Sequence, residues 1–134
     1  MGGLPLIWAN ADHLKQVFLN LVLNAIDAMS APAAGGARGG TLRVRTALDT
    51  HQPRDGPARP AVRIEFSDTG EGISPEIMSH LFEPFVTTKS DGTGLGLSIS
   101  YGIIEAHNGQ ITATSRAGEG TTFTIWLPVQ GAPA

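Results

Sequence analysis

Cysteine is absent from the 134 residues, so the chain has neither disulfides nor thiolate metal sites. No apolar run comes near the ~20 residues needed to span a bilayer, and the N-terminus lacks the charged-then-apolar pattern of a secretion signal. Cations are also scarce: nine Lys and Arg against twelve Asp and Glu leave a net charge of −3. No basic stripe is visible, which disfavours a self-sufficient nucleic-acid binder. These exclusions leave one domain with a single core, expected to be soluble and cytoplasmic. The chain opens almost directly on a strand, and we expect a piece of a longer protein. What it has in plenty is glycine, 17 residues, and their placement carries much of the reading.

Two of them follow an anomaly. From Val62 to Asp68 the residues alternate, with Val62, Ile64, Phe66 and Asp68 on one face and Arg63, Glu65 and Ser67 on the other, the period of a half-buried strand. A carboxylate therefore ends up on the apolar side, where ionised groups are costly unless something specific answers them. Gly70 and Gly72 follow at once, so the backbone turns sharply and can approach a ligand closely. A turn-capping Asp explains an isolated D-x-G-x-G equally well; the rest of the chain has to decide.

Taken in order, Leu4 to Trp8 reads as a short strand, and Asn10 or Asp12 as the N-cap of a helix running to about Met29. Leu14, Val17, Phe18, Leu21, Ala25 and Ala28 form its apolar stripe. A second stripe is polar: His13, Gln16, Asn20, Asn24 and Asp27. Asn20 and Asn24 are one turn apart on one face, and asparagine is a poor helix former, so ligand or ion contacts are expected there. Leu19, Val22, Leu23 and Ile26 fill the remaining circumference, which predicts a helix buried nearly all round. Residues 30–40 read as a flexible loop, Thr41 to Leu48 as a strand, and residues 49–60 as a long hairpin connection. Ser74-Pro75 opens a short helix, and Leu81 to Phe85 is an apolar knot broken by Pro84.

Gly92, Gly94 and Gly96 alternate just before a second long helix starting at Leu97 or Ser98, with Ile99, Gly102, Ile103 and Ala106 expected inward. The spacing fits neither a P-loop nor a dinucleotide fingerprint. It fits a lid over residues 86–96 that opens into a helix whose first N–H groups can receive phosphate oxygens. A closing hairpin, Gln110–Ser115 and Thr121–Leu127, puts Thr121 on the core face. The total is an α+β sandwich of two layers: a mixed sheet of about five strands with about three helices on one face.

Asn20-Leu-Val-Leu-Asn24-Ala-Ile-Asp-Ala, Asp68-Thr-Gly-Glu-Gly-Ile, Leu81-Phe-Glu-Pro-Phe, Gly92-Thr-Gly-Leu-Gly-Leu-Ser and Gly118-Glu-Gly-Thr-Thr-Phe occur in that order. Together they closely resemble the N, G1, F, G2 and G3 boxes of the catalytic ATP-binding domain of bacterial sensor histidine kinases. The stretches around Phe85 and His107 look most like the nitrogen- and oxygen-sensing branch. The resemblance spans nearly the whole chain and implies the Bergerat ATP-binding sandwich.

Carried over by position, it implies that Asp68 accepts the adenine amine, with Thr121 in support. Gly70, Gly72 and Ile73 would line the base, and Asn24 would hold Mg²⁺ bridging the phosphates with Asn20 behind it. Phe85, Lys89, Gly92, Thr93, Gly94, Leu95, Gly96 and Leu97 would form the lid side, Lys89 reaching a phosphate. An amide oxygen is a hard ligand suited to Mg²⁺. Two positions depart from the family: Asp27 and Ala28 stand where a cation and an aromatic are common.

Asn20 stands where hydrolysing relatives carry a Glu, and an amide cannot take a proton, so slow hydrolysis is expected. The γ-phosphate would go instead to a histidine on a separate dimerisation domain, and from there to a response-regulator receiver domain. Neither nucleic acid nor direct membrane contact is implied. None of His13, His51, His80 and His107 has the family's acceptor context. The alternative is a nucleotide-binding module of the same fold with weak or no transfer. Serine kinases of the anti-sigma type and clamp ATPases are disfavoured, by the lid sequence and by Asn20.

Overall fold

The computed structural model describes residues 10–30, 40–51, 57–70, 72–83, 96–116 and 118–129. Their elements run α1 (Ala11–Ser30), β1 (Leu42–His51), β2 (Arg59–Asp68), α2 (Pro75–Met78), α3 (Gly96–Ala106), β3 (Gln110–Arg116) and β4 (Gly120–Pro128). The strands form one sheet in the order β1-β2-β4-β3, and every pairing is antiparallel. The expected α+β class holds, with three helices. The sheet is not mixed among the described residues, and it has four strands there; the fifth expected strand, Leu4 to Trp8, lies outside them.

The helices begin where capping chemistry is available. Asn10 caps α1, its Oδ1 accepting from His13 N at 3.1 Å, and Ser74 caps α2 through Ile77 N at 3.4 Å with Pro75 following. Each satisfies a backbone N–H that has no partner within the helix. α1 and α3 lie against the sheet. Leu14, Val17 and Leu21 of α1 and Ile104 of α3 meet Val62, Ile64 and Phe66 of β2, Ile111 of β3, and Phe123, Ile125 and Leu127 of β4. Phe18 tilts against Phe66 with ring centres 5.7 Å apart, and Phe82 meets Phe123 edge-on at 6.5 Å. The first half of the apolar knot is thus core: Leu81 is buried.

Three expectations need correction. First, α1 is not buried all round: Leu19, Leu23 and Ile26 are 57, 48 and 49% exposed. The Leu14-Val17-Leu21-Ala25 stripe is buried, with Phe18 and Val22 packed partly buried beside it. Second, α3 is turned about its axis: Ser100 and Ile104 are its buried residues, whereas Ile99, Gly102 and Ala106 are exposed. Ser100, a polar residue outside the expected inward set, is fully buried. Third, the connection between β1 and β2 is shorter than residues 49–60. The ladder runs on through Asp49↔Ala61, Thr50↔Pro60 and His51↔Arg59.

Partners across the sheet explain the extra length. Arg63 Nη1 reaches Asp49 Oδ2 at 2.6 Å, and the Thr50 N–H together with that guanidinium holds the Asp49 carboxyl below its usual range. His51 stacks on Trp126 with ring centres 4.9 Å apart and bonds Gln110 Oε1 at 2.7 Å. No described helix is long and apolar enough to cross a membrane.

Candidate functional site

β2 delivers Asp68 to the end of the sheet, on the face that α1 covers. The side chain is 9% exposed. Its Oδ1 accepts from Gly70 N at 2.9 Å and from Thr121 N at 3.3 Å. The carboxylate is therefore fixed from two sides, by its own turn and by the start of β4, with both bonds on one oxygen. The Gly70 bond is an Asx-type cap; the second N–H, from Thr121, and the burial are more than a cap requires.

Glycine makes the surroundings possible at two places. A Cβ on Gly70 would lie 2.7 Å from both the carbonyl carbon and the Cβ of Ala28. The Asp68 turn therefore rests directly on the last turns of α1, and a side chain at Gly70 would separate them. Gly120 has φ 118°, and a Cβ there would fall 2.0 Å from Asp68 O, so only glycine lets β4 start beside the carboxylate. Gly72 also has a positive φ, 77°.

Thr121 is 4% exposed, and it belongs to a small polar knot. Ser115 Oγ accepts from Ile73 N at 2.7 Å, donates to Gly120 O at 3.0 Å and lies 3.0 Å from Thr121 Oγ1. With the single Ser115 proton on Gly120 O, Thr121 is the donor in that last bond, and its lone pairs stay available. Ser115 was missed in the sequence. The signal was present: Ile111, Ala113 and Ser115 alternate, which places a hydroxyl on the apolar face just as Asp68 places a carboxylate.

Across the site, Asn20 and Asn24 project from α1, both half-buried. Asn20 Nδ2 donates to Gly96 O at 3.3 Å and to Ser100 Oγ at 3.2 Å, so it is tied to α3 rather than only backing Asn24. Gly96 opens α3, and the first turn of that helix carries no acidic residue. Its N–H groups, Leu97 among them, are the anion-receiving end of the helix. Leu97 and Ile73 pack partly buried against the core.

The structure thus brings Asp68, Gly70, Ile73 and Thr121 together through Ser115 and the start of β4, and Asn20 together with Gly96 at the start of α3; α1 carries Asn20 and Asn24 and meets the Asp68 turn through Ala28. Phe85, Lys89, Gly92, Thr93, Gly94 and Leu95 lie outside the described residues. Among the described residues no group of three or more His, Asp and Glu could hold a metal ion; the hard oxygen donors at this site are amide and hydroxyl groups beside one carboxylate. Three of the four histidines have structural partners. His107 Nε2 accepts from Asn10 N at 2.9 Å, which leaves Nδ1 to donate to Ile103 O at 2.8 Å. His51 sits on Trp126, and His80 pairs with Glu83.

Comparison with known proteins identifies the family. The model of the family described as histidine kinase-, DNA gyrase B- and HSP90-like ATPases matches residues 9–131. The chain is 42% identical over 99% of its length to the C4-dicarboxylate transport sensor protein DctS of Rhodobacter capsulatus, of which that match covers 19%. It is 43% identical over 95% of its length to the sensory histidine kinase/phosphatase NtrB of Vibrio alginolyticus, covering 35% of it. The chain therefore spans about a fifth to a third of such relatives. Among solved structures, the nucleotide-free catalytic domain of histidine kinase ThkA superposes with TM-score 0.65 at 33% identity, over 92% of this chain and 70% of that one. Full-length ShkA in complex with AMPPNP gives 0.66 at 30% identity, over 98% of this chain and 24% of ShkA. The chain belongs to the family of histidine kinase-, DNA gyrase B- and HSP90-like ATPases, and its relatives there are sensor histidine kinases.

Proposed function

We propose that this domain binds ATP with Mg²⁺ and donates the γ-phosphate to a histidine on a separate domain of its parent protein. The observation that carries the reading is Asp68: a carboxylate buried at a sheet end, held by two N–H groups through one oxygen. Its second oxygen is the natural acceptor for the exocyclic amine of adenine, which guanine lacks at that position. Thr121 supports the base from β4, with Gly70, Gly72 and Ile73 beside it.

Asn24 offers its amide oxygen to Mg²⁺, which keeps several waters and leans on substrate phosphates. This donor set suits a metal that arrives with the nucleotide better than a resident one. The first turn of α3 receives phosphate oxygens, and residues 86–96, with Lys89, Gly92, Thr93 and Gly94, would form the lid over them, Phe85 preceding it. Phosphoryl transfer depends mainly on such positioning and charge neutralisation. Asn20 cannot accept a proton from water, so the phosphoryl group waits for a better nucleophile. That ShkA was solved with AMPPNP is consistent with an ATP site in this fold.

The alternative, a module that holds nucleotide without transfer, drew its support from Asp27 and from Ala28. The contact of Ala28 with Gly70 gives that small residue a packing role instead. The phosphoacceptor domain and a response-regulator receiver domain are the partners this function requires, and the cytoplasm is where ATP and both partners meet.

Labelled ATP, with and without a supplied helix hairpin carrying the acceptor histidine, tests the proposal. Acid-labile phosphate on the hairpin and little free phosphate is the expected result. Bound ATP with no transfer to any hairpin would favour the holding module.

A further inference from the structure

Asn20 has two amide protons, and α3 takes both. Gly96 O carries only lone pairs, so the atom facing it at 3.3 Å has to be Nδ2, and the second Nδ2 proton goes to Ser100 Oγ at 3.2 Å. Ser100 is fully buried, 0% exposed, so water cannot take over its part of the bond. A carboxylate at position 20 could not make the Gly96 contact, since it would set acceptor against acceptor. Position 20 therefore demands a donor, and a buried hydroxyl four residues into α3 completes the demand.

The place of this contact matters. Asn24 lies one turn further along α1, and Gly96 is the first residue of α3, whose opening N–H groups face the phosphate side of the proposed site. The Asn20 amide spans these two elements at that point. We propose that Asn20 and Ser100 form a brace that sets the first turn of α3 against the Asn24 face of α1. Ser100 is then a positioning residue for nucleotide phosphates, and Asn20 acts through α3 rather than through the metal. The inference rests on the nucleotide reading above and adds a residue and a division of labour to it.

A brace and a metal contact respond differently to Mg²⁺. A brace holds protein against protein, so its loss weakens ATP whether or not the metal is present. Loss of a metal contact weakens only the Mg²⁺ complex. The test is calorimetric titration of ATP, in Mg²⁺ and in chelator, into the intact chain and its Ser100→Ala, Asn20→Ala and doubly substituted variants, with melting temperatures alongside. Asn20→Ala keeps the test informative should Ser100→Ala fold poorly, because alanine is the best helix former and the site is only half-buried.

Ser100→Ala is expected to weaken ATP about fivefold, the worth of one neutral hydrogen bond, by the same factor in Mg²⁺ and in chelator. The double variant is expected to match Asn20→Ala within about twofold, as for residues acting through one contact. Ser100→Ala with unchanged affinity, even at a lower melting temperature, would reduce the pair to core packing and overturn the proposal. So would an Asn20→Ala defect that disappears in chelator. The unsubstituted chain separates the two levels: no ATP binding there removes the nucleotide reading itself, whereas normal binding with an indifferent Ser100→Ala removes only the brace.

Discussion

At the scale of single residues, the site is built from polar groups set into apolar faces, each answered by a backbone partner. Asp68 takes two N–H groups on Oδ1, Ser115 links Ile73 to Gly120, and Asn20 gives both protons to α3. No buried side-chain nitrogen or oxygen among the described residues is left without a partner, as expected where an unmet group costs about 1–3 kcal/mol. Asp68→Asn keeps the size of the side chain but allows an NH₂ group to face the adenine amine, donor against donor. It is expected to weaken ATP by about 10–100-fold, the range for a hydrogen bond to a charged group, and GTP far less. Calorimetry with both nucleotides checks it, and equal weakening would contradict the assignment. Asp68 was legible in the sequence because alternation along a strand betrays a misplaced polar residue. Ser115 obeys the same rule, but serine is small and common enough in strands to pass unremarked.

At the scale of elements, what the sequence conveyed well was local and what it conveyed poorly was relational. The N-caps, the α1 stripe and the two central strands follow from nearest-neighbour chemistry. The orientation of α3 does not. Its inward face includes Ser100 because Asn20, 80 residues away in sequence, supplies the partner, and no periodicity records such a pairing. The overestimate of α1 burial has a similar origin: apolar residues on every face do not say how many faces the fold covers, and Leu19, Leu23 and Ile26 are left outward. Nor did spacing reveal that β1 continues to His51, which Trp126 and Gln110 hold from other strands.

The contact between the Asp68 turn and α1 is also relational, and it makes a prediction. Gly70→Ala would push a methyl group to 2.7 Å from the Ala28 backbone. Overpacking of this kind typically costs about 1–3 kcal/mol, so the urea midpoint should fall while the slope of the transition stays the same. An unchanged midpoint would mean that the turn and the helix are not in register as described.

At the scale of the whole molecule, one core joins α1, α3 and the sheet, and the proposed site draws residues from all three. A ligand that bridges them should therefore stabilise the entire domain. At a hundredfold excess over its dissociation constant, ATP with Mg²⁺ is expected to add about 2.7 kcal/mol, or roughly 10 °C in melting temperature for a domain of this size. GTP at the same concentration should add little. A melting temperature indifferent to ATP would mean that the nucleotide does not engage the folded domain. The most direct measurement is a crystal structure of the chain with AMPPNP and Mg²⁺. The account predicts the adenine amine within hydrogen-bond distance of the Asp68 carboxylate, with Thr121 beside the base and the phosphates between Asn24 and the first turn of α3. A purine bound elsewhere, or an Asp68 side chain turned out to solvent, would contradict it.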